Sequence, residues 1–150
     1  MNRALLAAGA ALTLIASLVF GSVPAGAAQS GVRIVAIYFD SPGSDTGSNT
    51  SLNAEWVKIH NFTDRRRTLT GWRLRDSANH VYTFPTFRLA AGASVRVHTG
   101  HGSRTQHNLY WGQSWYIWNN DGDTAVLKRA NGTRADRCAY SESQDPEAYC

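Results

Sequence analysis

Hydrophobic and polar residues alternate in short segments along most of the chain after residue 30. In Glu55–Asn61, for example, Val57 and Ile59 share one parity, and Trp56 and polar residues occupy the other. A period of two places such side chains on opposite faces of an extended strand. The segments predicted as strands are Val32–Phe39, Glu55–Asn61, Trp72–Arg75, Val81–Phe84, Val95–Val97, Trp115–Trp118, Ala125–Leu127 and Thr133–Tyr140.

Turn residues separate these segments. Asn131–Gly132 is a hairpin signal, and Ser41–Ser51 has loop composition without a large apolar residue. Val32–Phe39 differs from the other strands because its apolar residues occupy both parities, which is compatible with burial on two faces. No helical period follows the N-terminal apolar run. Short strands with turns roughly every ten positions predict an all-β, antiparallel sandwich or barrel.

The N-terminus has the features of an export signal. Arg3 precedes the apolar run Ala4–Phe20, and the small residues Ala25-Gly26-Ala27 follow. This order predicts a cleavable signal peptide over residues 1–27 and a secreted, extracellular domain over residues 28–150. A retained membrane anchor is the alternative, but it needs about 20 unbroken apolar residues, and small and polar residues interrupt this run. We therefore expect no membrane contact after cleavage.

Cys138 and Cys150 are the 2 cysteines of the chain. In an exported protein an even number of cysteines favours a disulfide, which would pin the tail Ser141–Tyr149 onto the last strand. Closing a loop of this length stabilises a fold by about 2 to 3 kcal/mol. An intermolecular disulfide or a metal site remains an alternative.

Composition limits the size and the charge of the domain. The chain has 150 residues, so a multidomain enzyme is excluded, while a compact hydrolase or a binding module would fit. Its formal net charge of +4 becomes +3 if Arg3 is removed with the signal peptide. Such a mild basic excess is compatible with a polyanionic partner but does not require one.

Several segments, taken in order over roughly residues 53 to 140, resemble the lamin-tail domain family, in particular its secreted bacterial members. They are Glu55–Asn61 (EWVKIHN), Gly71–Leu74 (GWRL), Tyr82–Pro85 (YTFP), Phe87–Gly92, Val95–Val97, Trp118–Asn120, Asp123–Leu127 and Asn131–Gly132. The resemblance implies an immunoglobulin-like antiparallel β-sandwich. It carries over no catalytic motif, and it implies a non-catalytic binding or structural module whose lamin relatives bind proteins and DNA.

The shared apolar positions would face the interior of that sandwich. Burying one Val, Leu or Phe side chain contributes roughly 1.5 to 3 kcal/mol, so these positions define the fold rather than the function. They are Val57, Ile59, Trp72, Leu74, Phe84, Val95, Val97, Ala125 and Leu127.

Arginines form the densest candidate for a binding site. Arg65, Arg66 and Arg67 occupy a turn, and Arg73 and Arg75 face outward on the next strand. If adjacent strands pair, Lys58 would lie near them. Guanidinium groups match phosphate and carboxylate oxygens, so the ligand would be an extracellular polyanion such as nucleic acid or an acidic wall polymer. The alternative is a solvated turn whose charges protect the sheet edges.

Aromatic residues provide a second candidate. Tyr110, Trp111, Trp115 and Tyr116 could stack on sugar rings, which makes a carbohydrate-binding module the first alternative function. Strand alternation would pair Trp115 with Ile117 and Tyr116 with Trp118, so at least one of these pairs should face inward.

A small metal-dependent hydrolase is the second alternative. His98, His101 and His107 lie close together in sequence, and Asp121 and Asp123 carry oxygen ligands. Neither spacing matches a complete metal motif, and no Gly-x-Ser-x-Gly, phosphate-loop or dinucleotide-binding pattern occurs. We therefore expect no enzyme activity, cofactor or metal, and we expect a monomer that binds a polyanion or an unidentified protein.

Overall fold

The computed structural model describes residues 30–141 and 145–150, which form short strands and one short helix. The predicted signal peptide, residues 1–27, lies outside the described residues. Within the described residues, no helix is long and apolar enough to cross a membrane. The elements are β1 Val32–Tyr38, α1 Asn49–Ala54, β2 Trp56–Asn61, β3 Arg67–Thr68, β4 Arg73–Arg75, β5 Val81–Thr83, β6 Arg88–Leu89, β7 Ser94–His98, β8 Asn108–Tyr110, β9 Gly122–Lys128, β10 Arg134–Ser141 and β11 Glu147–Tyr149.

Two sheets build the fold, and a two-stranded ribbon of β3 and β6 accompanies them. The five-stranded sheet has the order β11-β1-β2-β7-β8, and the four-stranded sheet has the order β10-β9-β4-β5. The predicted all-β sandwich is confirmed. One pair departs from the antiparallel expectation, because β7 and β8 run parallel after the loop of residues 99–107 returns to the first end of β7.

The inward side chains of the two sheets form the core. The predicted inward positions are confirmed, except that Trp72 is half-buried and packs against the edge of the core. The guanidinium of Arg129 lies 5.8 Å from the Trp72 ring centroid and covers part of its exposed side. The following residues are each at most 1% exposed: Val57, Ile59, Leu74, Phe84, Val95, Val97, Ala125 and Leu127.

The apolar residues on both parities of β1 do not result from a regular strand that is buried on both faces. Its pairing with β2 shifts register between Ile34 and Ala36, so Val35 forms a bulge. The bulge adds one residue to the alternation, which turns both Ile34 and Ile37 toward the core. Apolar residues on both parities of this strand therefore reflect a bulge.

The predicted loop Ser41–Ser51 runs into the helix α1 Asn49–Ala54, which the hydrophobic pattern did not predict. The Ser48 hydroxyl caps the helix by accepting from the Ser51 N–H at 3.3 Å. Leu52, 2% exposed, anchors the helix to the body of the domain. One buried residue in a six-residue helix produces no periodic signal, and such a short helix is stabilised by tertiary packing.

The prediction of a strand over Trp115–Trp118 is also wrong. Ile117 and Trp118 are adjacent yet both buried, so strand alternation is absent. Their backbone N–H groups donate to the Glu55 carboxylate at 3.1 and 2.7 Å. Buried backbone donors need acceptors, and here a side chain supplies them in place of a neighbouring strand.

Cys138 and Cys150 form the predicted disulfide, with Cα atoms 5.7 Å apart. The disulfide attaches the end of the tail to β10, but the strand of the tail pairs elsewhere: β11 pairs with β1, and the Cys150 N–H donates to the Val35 carbonyl at 3.0 Å. The disulfide thus joins the edge strands of the two sheets. Asp136 of β10 reinforces this closure by accepting from the Ile34 N–H at 2.8 Å.

Candidate functional site

Basic side chains line the outer face of the four-stranded sheet. Lys128 of β9 lies between Arg73 of β4 and Arg134 of β10 in the strand register. Along β9, Ala125 and Leu127 face the core, so Lys128 projects outward. The cationic face, as we call this surface, consists of Arg73, Arg75, Lys128, Arg134 and Arg137.

The cationic face has a concave centre in which basic side chains outnumber carboxylates. An open cavity of about 560 Å³ is lined by every member except Arg73. None of the members forms an ion pair with a carboxylate among the described residues. Asp76 also borders the cavity, but it is 1% exposed and both of its carboxylate oxygens bond to His80. Because like charges repel, a bound anion would lower the energy of this surface.

Neutral contacts hold two of these guanidinium groups in place. Arg75 Nη1 donates to Asn79 Oδ1 at 2.5 Å, and Arg137 Nη2 donates to Thr124 Oγ1 at 3.4 Å. Arg75 Nε is buried without a hydrogen-bond partner. These contacts orient the groups without cancelling their charge, which leaves charge-assisted hydrogen bonds available to a ligand.

The structure divides the predicted polyanion patch into two regions. Arg73 and Arg75 belong to the cationic face, whereas Arg65, Arg66 and Arg67 lie in and after the turn that follows β2. Arg66 lines a different cavity from the one at the cationic face. The five arginines predicted as one site therefore belong to separate neighbourhoods.

The expectation that Lys58 would lie beside Arg73 is wrong. β2 pairs with β1 and β7, not with β4, so Lys58 lies opposite Arg96 on the outer face of the five-stranded sheet. Strand neighbours in sequence are not neighbours in a sandwich when the chain crosses from one sheet to the other.

A second group of arginines surrounds the cavity that Arg66 lines. This cavity has a volume of about 690 Å³, and the arginine cleft, as we call it, is defined by Arg66, Arg88 of β6 and Arg104 of the loop 99–107. No carboxylate from the described ranges lines it. Arg65 points elsewhere, with its Nε 3.7 Å from the Asp64 carboxylate. The remaining lining residues are Thr86, Phe87, Ala90, Thr105 and Gln106.

Asn61 fixes the turn that carries Arg66. This side chain is 0% exposed, and its Nδ2 donates to the carbonyls of Arg65 at 2.7 Å and Ala90 at 2.9 Å. Its Oδ1 accepts from the Thr63 hydroxyl at 2.8 Å. The amide therefore ties the turn to the segment just after Arg88, which places Arg66 and Arg88 on one cleft.

The rings predicted as a carbohydrate platform differ in exposure and in the groups that they contact. Tyr110 stacks on His98 with ring centroids 5.2 Å apart, and Trp111 packs against the core. Tyr116 is half-buried, and Trp115, at 63%, is the exposed member of the four. Trp115 and Tyr116 are in edge-to-face contact with ring centroids 5.5 Å apart, whereas Tyr110 and Trp111 are engaged by His98 and by the core.

The histidines considered for a metal do not converge. Within the described residues, no group of three or more His, Cys, Asp or Glu side chains could hold a metal ion. Both ring nitrogens of His98 are engaged, one with the Asn53 carbonyl at 2.7 Å and the other with Asn108 Oδ1 at 2.9 Å. Asp123 serves as an acceptor for Ser77. These contacts give the hydrolase alternative no support.

Burial strongly raises the pKa values of Glu55, Tyr82 and Tyr140. Burial raises the pKa of Glu55 to about 7, although Thr99 and the backbone N–H groups of Ile117 and Trp118 favour the ionised form. The Thr99 hydroxyl itself has no hydrogen bond of standard geometry. Burial also raises the pKa of Tyr82 to about 12, and the positive charge of Arg104 opposes that rise. Glu55 acts as an internal clamp on residues 117–118.

The comparison with protein families agrees with this architecture. A family model described as the Lamin Tail Domain matches residues 25–142. The chain belongs to the lamin tail domain family. This lamin tail domain is thus an immunoglobulin-like β-sandwich from a family of non-enzymatic modules, as its resemblance to the family predicts. No curated protein matches the chain by sequence.

Sequence reasoning missed several basic residues of this lamin tail domain. The Asn131–Gly132 hairpin signal indicates that β9 and β10 pair, but a two-residue turn there would place Arg134 opposite Arg129, whereas the observed register places it opposite Lys128. No local signal connects Arg88 with Arg104, since distant segments build the cleft.

Proposed function

We propose that this lamin tail domain is a non-catalytic, extracellular binding module that recognises an extended polyanion with its cationic face. The observation that carries the proposal is the concentration of basic side chains on one sheet face without an ion pair to a described carboxylate. The ligand would be a polymer of phosphate or carboxylate groups, such as nucleic acid or an acidic wall polymer.

The geometry supports a polymer more than a small ligand. Arg137, Lys128 and Arg73 lie on three adjacent strands of one sheet. Neighbouring strands are about 4.8 Å apart, so the three positions span about 10 Å across the sheet. Successive phosphates of one DNA strand are a few ångströms apart, so one polymer could contact several of these groups together.

The first prediction concerns the salt dependence of binding. Binding of the domain to duplex DNA should weaken with salt, with a slope of log K against log salt of about −4 to −5 if all five cations contact phosphates. In the double variant with Lys128→Gln and Arg137→Gln, the slope of log K against log salt should be shallower by about two. Each lost phosphate contact removes about 0.9 from the slope. Fluorescence anisotropy at several salt concentrations would measure both values.

A matched control comes from the other sheet. Arg96→Gln removes an exposed guanidinium that lies 4.8 Å from the Trp56 ring centroid on the outer face of the five-stranded sheet. This variant should keep the wild-type slope. Binding that ignores ionic strength, or an equal loss in Arg96→Gln, would refute the proposed surface. Heparin and neutral dextran in the same assay separate a general polyanion preference from a nucleic-acid or carbohydrate preference.

A further inference from the structure

The arginine cleft is a second basic site with a different shape and a different origin. Its members come from three separate parts of the chain: the turn after β2, the strand β6 and the loop between β7 and β8. Its volume of about 690 Å³ lies within the range typical of small-molecule sites. The cationic face occupies a sheet surface, whereas this cavity lies among connecting segments.

The scaffold around the arginine cleft is held by specific hydrogen bonds. Asn61 fixes the turn of Arg66, and β6 pairs with β3 so that Arg88 lies opposite Thr68. On the loop, the Thr105 N–H donates to the Asn108 carbonyl at 2.8 Å, and the Thr105 hydroxyl accepts from the Asn108 N–H at 3.0 Å. The backbones that carry the three arginines are therefore anchored independently of any ligand.

The lining of the cleft selects the chemistry of its ligand. The guanidinium groups offer several donors each, and Thr86, Thr105 and Gln106 add neutral polar groups. Phe87 and Ala90 contribute apolar side chains, and Phe87 is 5% exposed. Guanidinium forks pair with phosphate and similar oxyanions, and the absence of a lining carboxylate among the described residues leaves that charge uncompensated.

We propose that the arginine cleft binds the phosphate or sulfate ester group of a small organic ligand, such as a phosphorylated or sulfated sugar. The ester oxygens would lie among Arg66, Arg88 and Arg104, and the organic part would contact the exposed Ala90 and the small accessible part of Phe87. This site is independent of the cationic face and would exist even if the domain bound no polymer.

The second prediction tests this site with inorganic phosphate, sulfate, glucose 6-phosphate and glucose. The three anions should perturb backbone amides of residues 86–90 and 104–106 in two-dimensional NMR titrations, and glucose alone should not. Arg88→Gln and Arg104→Gln should each weaken phosphate binding about tenfold, since each removes a charge-assisted hydrogen bond. Comparing phosphate with sulfate identifies the preferred ester.

Arg65→Gln is the matched control, because Arg65 occupies the same turn as Arg66 but lies against Asp64 instead of lining the cleft. It should leave phosphate affinity unchanged, as should Lys128→Gln on the cationic face. Equal losses in Arg65→Gln and Arg104→Gln, or amide shifts spread over the whole surface, would overturn the proposal. Because duplex DNA and phosphate are measured separately, failure of the cleft and failure of the cationic face are distinguishable.

Discussion

At the residue scale, the buried carboxyl of Glu55 replaces a missing strand partner. It is 0% exposed and receives the N–H groups of Ile117 and Trp118. Asn61 has a comparable role at the other end of β2, where its side-chain amide donates a hydrogen bond to the carbonyl of Arg65. This contact positions the turn that carries Arg66. In both cases one polar side chain fixes a segment that lacks regular hydrogen bonding, and each such contact is expensive to lose once buried.

The third prediction is a pH dependence that originates at Glu55. In the unfolded chain the carboxyl ionises near pH 4.5, whereas the folded protein keeps the proton until about pH 7. The unfolded state therefore binds fewer protons between these values, and the free energy of unfolding should fall as the pH rises through this window. The total loss should be about 3 kcal/mol. Urea unfolding followed by tryptophan fluorescence at pH 5 and pH 8 would measure it.

Glu55→Gln should remove most of this pH dependence. The variant should also be less stable than the wild type at pH 5 by about 1 to 3 kcal/mol, because the new amide group cannot accept one of the two backbone N–H groups. Asp64→Asn, at a side chain that is 86% exposed, is the control and should keep the wild-type profile. A profile that survives Glu55→Gln would assign the pH dependence to another group.

At the scale of elements, the sequence predicted the regular strands well and the irregular connections poorly. β2 and β9 follow strict alternation, so their inward residues Val57 and Leu127 could be identified in advance. The helix α1 and residues 115–118 could not, because Leu52 and Glu55 stabilise them through contacts with distant parts of the chain. Local propensity has little influence where tertiary contacts satisfy the backbone.

The fourth prediction concerns the closure of the sandwich by β11. Replacing Cys138 and Cys150 with Ser should lower the free energy of unfolding by about 3 kcal/mol, given the 12-residue separation. Because β11 pairs only with β1 in its sheet, its amides should then exchange with solvent much faster than those of β2. Hydrogen exchange by mass spectrometry on peptides covering 145–150 would show this loss.

Hydrogen exchange of the β2 amides serves as the internal reference, because β2 pairs on both sides, with β1 and with β7. Unchanged protection of residues 147–149 in the double variant would mean that strand pairing, not the disulfide, holds the tail. Equal loss of protection in β11 and β2 would indicate global unfolding instead of local detachment.

At the scale of the whole molecule, basic groups gather in two regions that the sequence presented as one. Arg73 and Arg75 join Lys128 on a sheet surface, while Arg66 and Arg104 line a separate cavity. A net charge of +4 is modest, so the distribution of charge matters more for recognition than its total. Membership of the family accounts for the β-sandwich fold, whereas the proposed binding of ligands depends on these basic surface groups.

The fifth prediction is that the two basic regions act independently. Arg104→Gln should weaken phosphate binding and leave the salt slope for DNA unchanged. Lys128→Gln should make the salt slope for DNA shallower and leave phosphate binding unchanged. For each ligand, the binding free energy of the double variant should equal that of the single variant that affects it to within about 0.5 kcal/mol, since separated sites without shared partners seldom couple. Anisotropy and NMR titrations of the single and double variants complete this cycle. A coupling well above that value would show that one ligand bridges both regions.

The sequence by itself determined the faces of the regular strands such as β2 and β9, most core positions, the hairpin at Asn131–Gly132 and the pairing of Cys138 with Cys150. These features depend on a period of two, on turn chemistry and on the presence of a single pair of cysteines. Only the tertiary structure decided which strands became neighbours. It therefore also decided which basic side chains lie close together and that the carboxyl of Glu55 is buried. Strand pairing depends on contacts between residues far apart in sequence, whose free energies no local pattern encodes.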